Sequence, residues 1–345
     1  MFIFYIFIGG SLTLLINSYV NSERRYCEVF TVLKWLFIGA ICIALLESFT
    51  PFRLPTSPYS DYANAFGRKS TDFSEFDPAI QTLIRSAPTS FWANPNDLAV
   101  AMTLAVSFFL MSRNSWLKIS GFSCVLVIIV MTGSRGGFIG LMVAVSTYLI
   151  IKGWMTRLGF LILLSVLSVI FYTSIDALKD SENQRLAEIA WSSDLVYSYV
   201  FEEQGTENSI GVRRKLIQNG LSALANTGGL GVGGGGSQAV QERMGLVGGK
   251  ISSMHNFWVE ILVDAGVVFF VVFLLWYFYI MFCLASIYKS DRVYFYRYHA
   301  GSLFISMLTF LVSAISTSSV IYFFPMWIMY GLAIGLISLQ RRLSV

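Results

Sequence analysis

A series of long apolar stretches constrains the fold of this chain more than any other feature. A helix of about 20 residues crosses the roughly 30 Å hydrocarbon core of a bilayer, and several of these stretches approach or exceed that length. The chain is 55% hydrophobic and only 13% charged, with a mean hydropathy of +0.66, which is more apolar than a soluble domain. Because backbone groups in lipid must be satisfied within their own segment, the sequence predicts an all-α, polytopic transmembrane helical bundle.

Hydropathy predicts about nine spans, separated by two long polar connections near residues 50–96 and 174–255. The chain then divides into a transmembrane region over 1–173, a large loop over 174–255 that contains short helices, and C-terminal transmembrane helices over 256–345. The predicted spans are 2–20, 29–49, 97–112, 116–133, 138–152, 155–173, 256–286, 299–316 and 319–338.

The basic residues of the short connections predict the orientation, because Lys and Arg are retained on the cytoplasmic side. Five groups fall on one face when the spans are counted. They are Arg24 and Arg25, Arg113 and Lys118, Lys152 and Arg157, Lys289 with Arg292 and Arg297, and Arg341 with Arg342. This face is predicted to be cytoplasmic, together with the C-terminus, and both long loops are predicted to lie outside. Met1 would then also lie outside, a less common start that suggests further helices before it.

Composition argues against several other classes of protein. No run of basic residues is long enough for a nucleic-acid interface, and the four cysteines form no C-x-x-C pattern. The sequence therefore predicts no metal, no cofactor and no nucleic-acid partner. The lipid bilayer is the partner that the composition itself requires.

The two long loops differ in character. The loop near 50–96 carries six of the chain's seven prolines, which favours irregular structure lying over the bundle. The second loop contains two helical patterns, at 184–201 and 212–225, the latter with Val212, Leu216, Leu221 and Leu224 near helical spacing. Ser209 is a candidate N-cap that would place Arg213 about one turn into the helix.

A glycine-rich tract follows, from Thr227 to Gly236. It lacks the G-x-x-x-x-G-K-[ST] pattern of a phosphate-binding loop, since Gly249 and Lys250 are followed by Ile251. Close packing or a flexible connection is therefore favoured over direct binding of phosphate.

Three groups of polar residues are predicted to meet at the outer face. Arg135 lies in a Gly-Ser-Arg-Gly-Gly turn between two spans, where it is either an interfacial arginine or a ligand for an anion. Arg213, Arg214 and Lys215 combine cationic side chains with the start of a helix, which favours an anion, although a solvated face is the plainer interpretation.

The third group begins at His255 and Asn256, directly before a long apolar helix. A lone interfacial histidine is usually structural, but imidazole is also the side chain best suited to removing a proton near neutral pH. Asn256, Glu260 and Asp264 follow at four-residue steps, which predicts one polar stripe that faces the bundle.

At these residues the sequence resembles the bacterial O-antigen ligase and polymerase superfamily, which includes O-antigen polymerases, O-antigen ligases and teichuronic-acid-type polymerases. The resemblance spans roughly Phe91 to Gly266 and rests on three short motifs. Fifteen residues separate Arg213 from Gly229, and ten separate His255 from Gly266, as in the paired loop motifs of the family. The motifs are Asn94-Pro95-Asn96-Asp97-Leu98-Ala99, Gly133-Ser134-Arg135-Gly136-Gly137 and His255-Asn256-Phe257-Trp258-Val259-Glu260.

The resemblance implies a metal-independent, inverting glycosyltransferase in the bacterial cell membrane, with an extracytoplasmic active site. The donor would be a glycan on undecaprenyl diphosphate, and the acceptor a sugar hydroxyl. Arg135 and Arg213 would bind the diphosphate, and His255 would act as general base. Arg214, Lys215, Asn256 and Glu260 are the predicted substrate-binding residues, and polysaccharide export or chain-length proteins are further candidate partners.

Three departures from the family pattern concern residue 217, the choice of arginine and the span count. Ile217 stands where relatives commonly have a large residue, Arg214 competes with Arg213 for the diphosphate, and about nine spans is fewer than the family's usual number. Polymerisation of cell-surface repeat units is favoured over ligation of a finished polymer. A transporter or flippase of lipid-linked glycans and a non-catalytic assembly protein are the alternatives from other classes; the sequence shows no convincing internal repeat for the former.

Overall fold

The computed structural model describes residues 2–68, 70–71, 81, 85, 87–153, 159, 209–244, 253–317 and 323–343. Within these ranges the regular structure is helical, without β-strands. The ten α-helices described are α1 (Phe2–Tyr19), α2 (Glu23–Phe49), α3 (Pro95–Leu110), α4 (Ser115–Thr132), α5 (Arg135–Ile151), α6 (Ser209–Asn226), α7 (Gly236–Arg243), α8 (Phe257–Ser290), α9 (Tyr294–Ser313) and α10 (Phe324–Leu343). The all-α prediction is confirmed for this part of the chain.

The helix boundaries follow from local capping chemistry. The side chains of Ser22, Asn94, Asn114 and Ser134 each accept a hydrogen bond from a backbone N–H in the first turn of the following helix. Such caps satisfy the orphan donors that every helix start exposes. Pro95 occupies the first turn of α3, where its missing N–H has no cost.

Helix α3 forms the centre of the bundle, because every residue from Leu98 to Leu110 is buried. It packs against α4, α5 and α9. Small residues allow these helices to approach: a side chain at Gly140 would collide with Ser313, and one at Gly137 with Ala99. Small residues at helix crossings are characteristic of membrane bundles, where close packing replaces hydrophobic exclusion.

The order of the helices gives the bundle two chemically different ends. Arg135 begins α5, and Lys152 follows its other end. His255 and Asn256 precede α8, whereas Lys289 lies in its last turn. Lys118 lies in the first turn of α4, and Arg297 in the first turn of α9. The residues of the predicted site therefore share one end of the bundle, and the basic residues of the short connections occupy the other.

Eight of the nine predicted spans coincide with described helices, and the span at 155–173 lies outside the described residues, as does the predicted helix at 184–201. Four of the described helices are long and apolar enough to cross a membrane: Glu23–Phe49, Ser115–Thr132, Phe257–Ser290 and Tyr294–Ser316. Shorter apolar helices accompany them at Phe4–Tyr19, Pro95–Leu110 and Arg135–Ile151. The chain is thus a multi-pass membrane protein, while the count of nine, the orientation and the domain boundaries stay predictions.

The two long loops are described only in part. The described residues of the loop near 50–96 include a 3-10 turn at Ala63–Phe66. In the second loop the pattern at 212–225 is confirmed as helix α6, and Leu216 and Leu224 are buried as its spacing predicts. Leu221 is instead 42% exposed.

Candidate active site

Arg135 is placed by the turn between α4 and α5. Gly133 ends α4 in the left-handed region, with φ +62°, and the Ser134 hydroxyl then caps α5 by accepting a hydrogen bond from Gly137 N at 3.2 Å. Gly136 and Gly137 pack so closely on Ser316 and Ala99 that neither has room for a side chain. The Gly-Ser-Arg-Gly-Gly sequence therefore fixes Arg135 at the first position of α5, where the helix N-terminus also favours an anion.

Arg213 lies on the face of α6 that packs against the segment before α8. Gly220 makes this packing close, because a Cβ there would lie 2.5 Å from Met254 Cε and 3.1 Å from Val263 Cγ2. Arg213 is partly buried on this face, whereas Arg214 and Lys215 are exposed. The structure thus distinguishes Arg213 from its two basic neighbours, because only Arg213 lies on the packed face of α6. Binding of substrate by Arg214 and Lys215 stays a prediction.

His255 has a backbone conformation that non-glycine residues rarely adopt. Its φ is +47°, and its N–H donates to Ser253 Oγ at 3.2 Å. The Nδ1 atom of its ring is buried, and no described residue forms a hydrogen bond with it. Buried polar atoms are rarely left unpartnered, and strained backbone is concentrated at functional sites. Among the described residues, His255 is the one in which a positive φ and an unpartnered buried side-chain atom coincide.

The polar stripe predicted along α8 is buried, as expected. Asn256, Glu260 and Asp264 are 8%, 0% and 4% exposed, respectively. Asn256 caps α8, since its Oδ1 accepts hydrogen bonds from Trp258 N at 3.1 Å and Val259 N at 3.2 Å. Its amide oxygen is thereby occupied, so the structure gives Asn256 a role in placing His255 at the helix start. Substrate binding by Asn256 and Glu260 stays a prediction.

Asp264 ties the glycine-rich tract to α8. Its carboxylate accepts hydrogen bonds from Gly235 N at 2.9 Å and Ser237 N at 2.8 Å. Backbone hydrogen bonds reinforce this contact, with Val232 N donating to Val263 O at 2.9 Å and Gly233 N to Asp264 O at 3.0 Å. The acidic side chain that sequence reasoning assigned to a polar stripe is therefore a structural anchor for the tract.

Glycines of both paired motifs meet at this junction. Gly266 interrupts α8 with φ 86° and ψ 168°, and Gly229 O accepts a hydrogen bond from Val267 N at 2.9 Å. A Cβ on Gly266 would collide with Leu230 O, and one on Gly231 would lie 2.6 Å from Asp264 O. The tract thus packs backbone against backbone on the kink, which confirms the close-packing interpretation. The glycine that ends each motif anchors its segment, while Arg213 and His255 begin the segments.

Gly266→Ala is expected to destabilise the protein by on the order of 3 kcal/mol, because it combines backbone strain with a collision against the Leu230 carbonyl. Thermal unfolding of the purified protein in detergent measures the effect as a lower Tm. Gly39→Ala is the matched control, since Gly39 lies inside α2 and an added Cβ there would meet no described residue beyond the helix's own local backbone within 4 Å. Equal Tm values for the two variants would contradict the proposed junction.

Gln241 links the two functional segments and was missed by sequence reasoning. It is fully buried in α7, where its Nε2 donates to Leu216 O at 2.8 Å and to Met254 Sδ at 3.1 Å. Its Oε1 accepts from Asn219 Nδ2 at 3.1 Å. One side chain therefore holds α6 next to the residue that precedes His255. A polar residue in a short helix gives no sequence signal for such a role, because its partners come from two distant segments.

Glu47 is a second residue that the sequence did not reveal. It is 1% exposed near the end of α2, and its carboxylate accepts hydrogen bonds from Thr89 N and Ser90 N, both at 2.7 Å, and from Leu54 N at 3.3 Å. These bonds fasten both described ends of the proline-rich loop to the bundle. The second end leads directly into Asn94 and α3.

The electrostatics place Arg213 near both His255 and Arg135. Burial, and then the nearby charge of Arg213, lowers the pKa of His255 to about 4. Burial, and then the charge of Arg135, lowers the pKa of Arg213. Within the described ranges no carboxylate forms an ion pair with Arg213. Two guanidinium groups held near each other in a partly buried place favour a doubly charged anion, and a neutral imidazole lies beside them.

The protein is a multi-pass helical bundle with two arginines and a histidine at one end. A family model matches the region that contains these three residues. The model described as O-antigen ligase matches residues 120–274 of this chain. The matched region contains all seven residues predicted for the site. This match confirms the resemblance to the O-antigen ligase and polymerase superfamily that the motifs indicated.

A curated relative points to the same superfamily. The Teichuronic acid biosynthesis protein TuaE of Bacillus subtilis (strain 168) is 26% identical to this chain over 272 residues, which is 74% of this chain and 53% of the relative. The chain thus spans about half the length of the relative that it matches. The alignment with TuaE, over 272 residues, is longer than the region 120–274 that the family model matches.

Proposed function

We propose that this chain is a glycosyltransferase that moves an oligosaccharide or polysaccharide from undecaprenyl diphosphate to a sugar hydroxyl on the outer face of the bacterial cell membrane. The observation that carries the proposal is the convergence of Arg135, Arg213 and His255, the last two of which begin segments whose glycines interlock. The match to the family described as O-antigen ligase supports the reaction class.

In the proposed reaction the acceptor oxygen attacks the anomeric carbon of the donor as the bond to the diphosphate oxygen breaks. A single displacement of this kind inverts the anomeric configuration. The proton of the acceptor hydroxyl passes to the neutral imidazole of His255, a contribution typically of 10²–10⁴-fold. The leaving undecaprenyl diphosphate carries the bonding electron pair, and Arg135 and Arg213 stabilise its charge through paired hydrogen bonds. No step requires a metal ion.

Binding of the donor would itself adjust the base. An anionic diphosphate on Arg213 offsets the positive charge that lowers the pKa of His255. The imidazole then becomes a stronger base at the moment when a proton must be removed.

We expect the pH dependence of kcat/KM to report His255 in the free protein. Transfer requires the neutral imidazole, so kcat/KM should fall as the pH drops through the pKa of about 4. In Arg213→Gln the acid-side fall of kcat/KM should move to higher pH, because the charge of Arg213 no longer lowers the pKa of His255. It should stay below the ordinary pKa of histidine, because burial is the larger cause of the lowered pKa. Identical acid limbs in wild type and variant would argue against the assigned pair.

Polymerisation of cell-surface repeat units is the favoured form of the reaction. The name of the relative, a teichuronic acid biosynthesis protein, supports a polymer product. Ligation of a finished polymer to an acceptor is the alternative within the same chemistry. Chain-length and export proteins are proposed partners of either reaction.

Mass spectrometry of undecaprenyl-diphosphate-linked glycans tests the proposal in the host. Strains would carry the wild-type gene, a deletion, or a deletion complemented with His255→Ala. Accumulated single repeat units with loss of long polymer indicate a polymerase, and accumulated lipid-linked polymer indicates a ligase. A glycan profile that is unchanged by deletion contradicts the proposal and favours a transporter or an assembly role.

A further inference from the structure

The end of the bundle opposite to the candidate site carries a cluster of four basic residues, here called the basic cluster: Arg113, Lys118, Lys152 and Arg297. They come from the α3–α4 connection, the start of α4, the end of α5 and the start of α9. The tendency of membrane proteins to keep basic residues at one face accounts for positive charge at this end. It does not account for how these four side chains are arranged.

Two of the four converge on one buried tyrosine. Lys118 Nζ lies 3.0 Å from the hydroxyl oxygen of Tyr148, and its ammonium is 5.5 Å from the centroid of that ring. The Lys152 ammonium is 5.9 Å from the same centroid. Tyr148 is 1% exposed, and both lysines that approach its ring are partly buried.

Tyrosine rings also position the two arginines. The guanidinium of Arg113 lies over the ring of Tyr294 at 3.6 Å, and Tyr294 stacks on Tyr298 with centroids 5.6 Å apart. Arg297 lies 5.4 Å from the Tyr288 ring centroid. Stacking of this kind orients a guanidinium but leaves its N–H groups available for an anion.

The cluster consists of four positively charged side chains. Burial, followed by the charges of Lys118, Arg297 and Arg113, lowers the pKa of Lys152. In the part of the chain that the structure describes, none of the four forms an ion pair with an acidic side chain. The two lysines are partly buried and the two arginines are exposed. A bound anion offsets the mutual repulsion of these four cations.

An apolar groove lies between α2, α3, α4 and α9, near the end of the bundle that carries this cluster. Leu117 in its wall is the neighbour of Lys118, and Tyr298 is the neighbour of Arg297. Lys34 also lines the groove. The main apolar lining is Phe30, Leu33, Phe37, Phe108, Leu117 and Tyr298.

We propose that the basic cluster and this groove form a binding site for an anionic phospholipid of the bilayer, with the phosphate on Arg113, Lys118, Lys152 and Arg297 and an acyl chain in the groove. The groove supplies an apolar surface next to the bilayer, and the cluster supplies complementary charge at its end. Basic pockets between transmembrane helices bind anionic lipid headgroups in this way. The site is separate from the proposed glycosyltransferase reaction and does not depend on it.

Native mass spectrometry of the purified full chain tests the proposal by counting retained lipid adducts. The probes are phosphatidylglycerol and phosphatidylcholine with the same acyl chains. Wild type should retain phosphatidylglycerol in preference, and Lys118→Gln with Lys152→Gln should reduce that retention by on the order of tenfold. Arg113→Gln with Arg297→Gln, which alters two exposed side chains, is a second variant should the first fold poorly, and it should lose retention as well.

The matched control is Arg24→Gln with Arg25→Gln, which removes two positive charges from the start of α2 outside the cluster and should leave retention unchanged. Equal losses in the control and cluster variants would overturn the proposal in favour of general surface charge. Equal retention of the two lipids by wild type would overturn it too. A third arm adds the free glycerophosphoglycerol headgroup. Complete displacement of the lipid at equal concentration would show that the groove contributes nothing and would exclude a lipid site.

Discussion

Replacing His255 is expected to lower the rate of glycan transfer by about 10²–10⁴-fold, the usual contribution of a general base. His255→Asn is the most informative change, because asparagine tolerates the left-handed backbone that His255 adopts at φ +47°. It cannot accept a proton from the acceptor. The measurement is the rate of polymer or conjugate formation by purified protein from an undecaprenyl-diphosphate-linked glycan.

The control for this prediction separates loss of chemistry from loss of fold. His255→Gly removes the imidazole and relieves the backbone strain, so it should be as inactive as His255→Asn with no loss of Tm. His299 is the other histidine of the chain, buried among the rings of Tyr26, Phe30, Phe295 and Tyr298 at the opposite end of the bundle. His299→Asn should disturb packing rather than transfer. Near-normal transfer by His255→Asn would remove the proposed base.

The helices of this chain could be predicted because their cause is local. Long apolar stretches determine the spans, and the helix predicted at 212–225 forms at Ser209–Asn226 because Leu216 and Leu224 recur on one face. The polar stripe of Asn256, Glu260 and Asp264 follows equally from helical spacing. In each case the information lies within one segment, where the period of a helix is sufficient.

Features that depend on distant partners could not be predicted in this way. Glu47 accepts hydrogen bonds from residues more than forty positions away, and Gln241 joins α6 to Met254. The role of Asp264 as an anchor for Gly235 and Ser237 was likewise hidden, since a buried carboxylate at helical spacing also suits a binding site. The positive φ of His255 was likewise not predictable, because nothing in the neighbouring sequence requires it.

The sequence contains a pattern that distinguishes Arg213 from Arg214, although hydropathy alone does not reveal it. Leu216, Gly220 and Leu224 mark the packed face of α6, and Arg213 lies three residues before Leu216 on that face. Arg214 is rotated by about 100° from it. Gly220 carries no hydrophobic side chain, so hydropathy alone does not reveal it as a contact.

Arg213→Gln is therefore expected to reduce kcat by about 10²–10³-fold, the cost of losing one preorganised donor to developing charge. Arg214→Gln is the matched comparison, since it removes the same charge from the adjacent residue, and it should cost far less because Arg214 is exposed. Arg213→Lys should fall between the two, because an ammonium keeps the charge but cannot bind phosphate oxygens through a planar pair of N–H groups. Steady-state kinetics with purified variants at one fixed pH provide the measurement.

The same three variants also distinguish a diphosphate clamp from a purely structural arginine. A clamp that acts as charge develops on the leaving group predicts a loss in kcat greater than any rise in KM, with partial rescue by lysine. A structural role predicts a lower Tm and equal losses for Arg213→Gln and Arg213→Lys, since neither restores the geometry of the guanidinium. Equal kinetic losses in Arg213→Gln and Arg214→Gln would mean that the partial burial of Arg213 is irrelevant to transfer, and the diphosphate would then have to bind on the exposed face of α6.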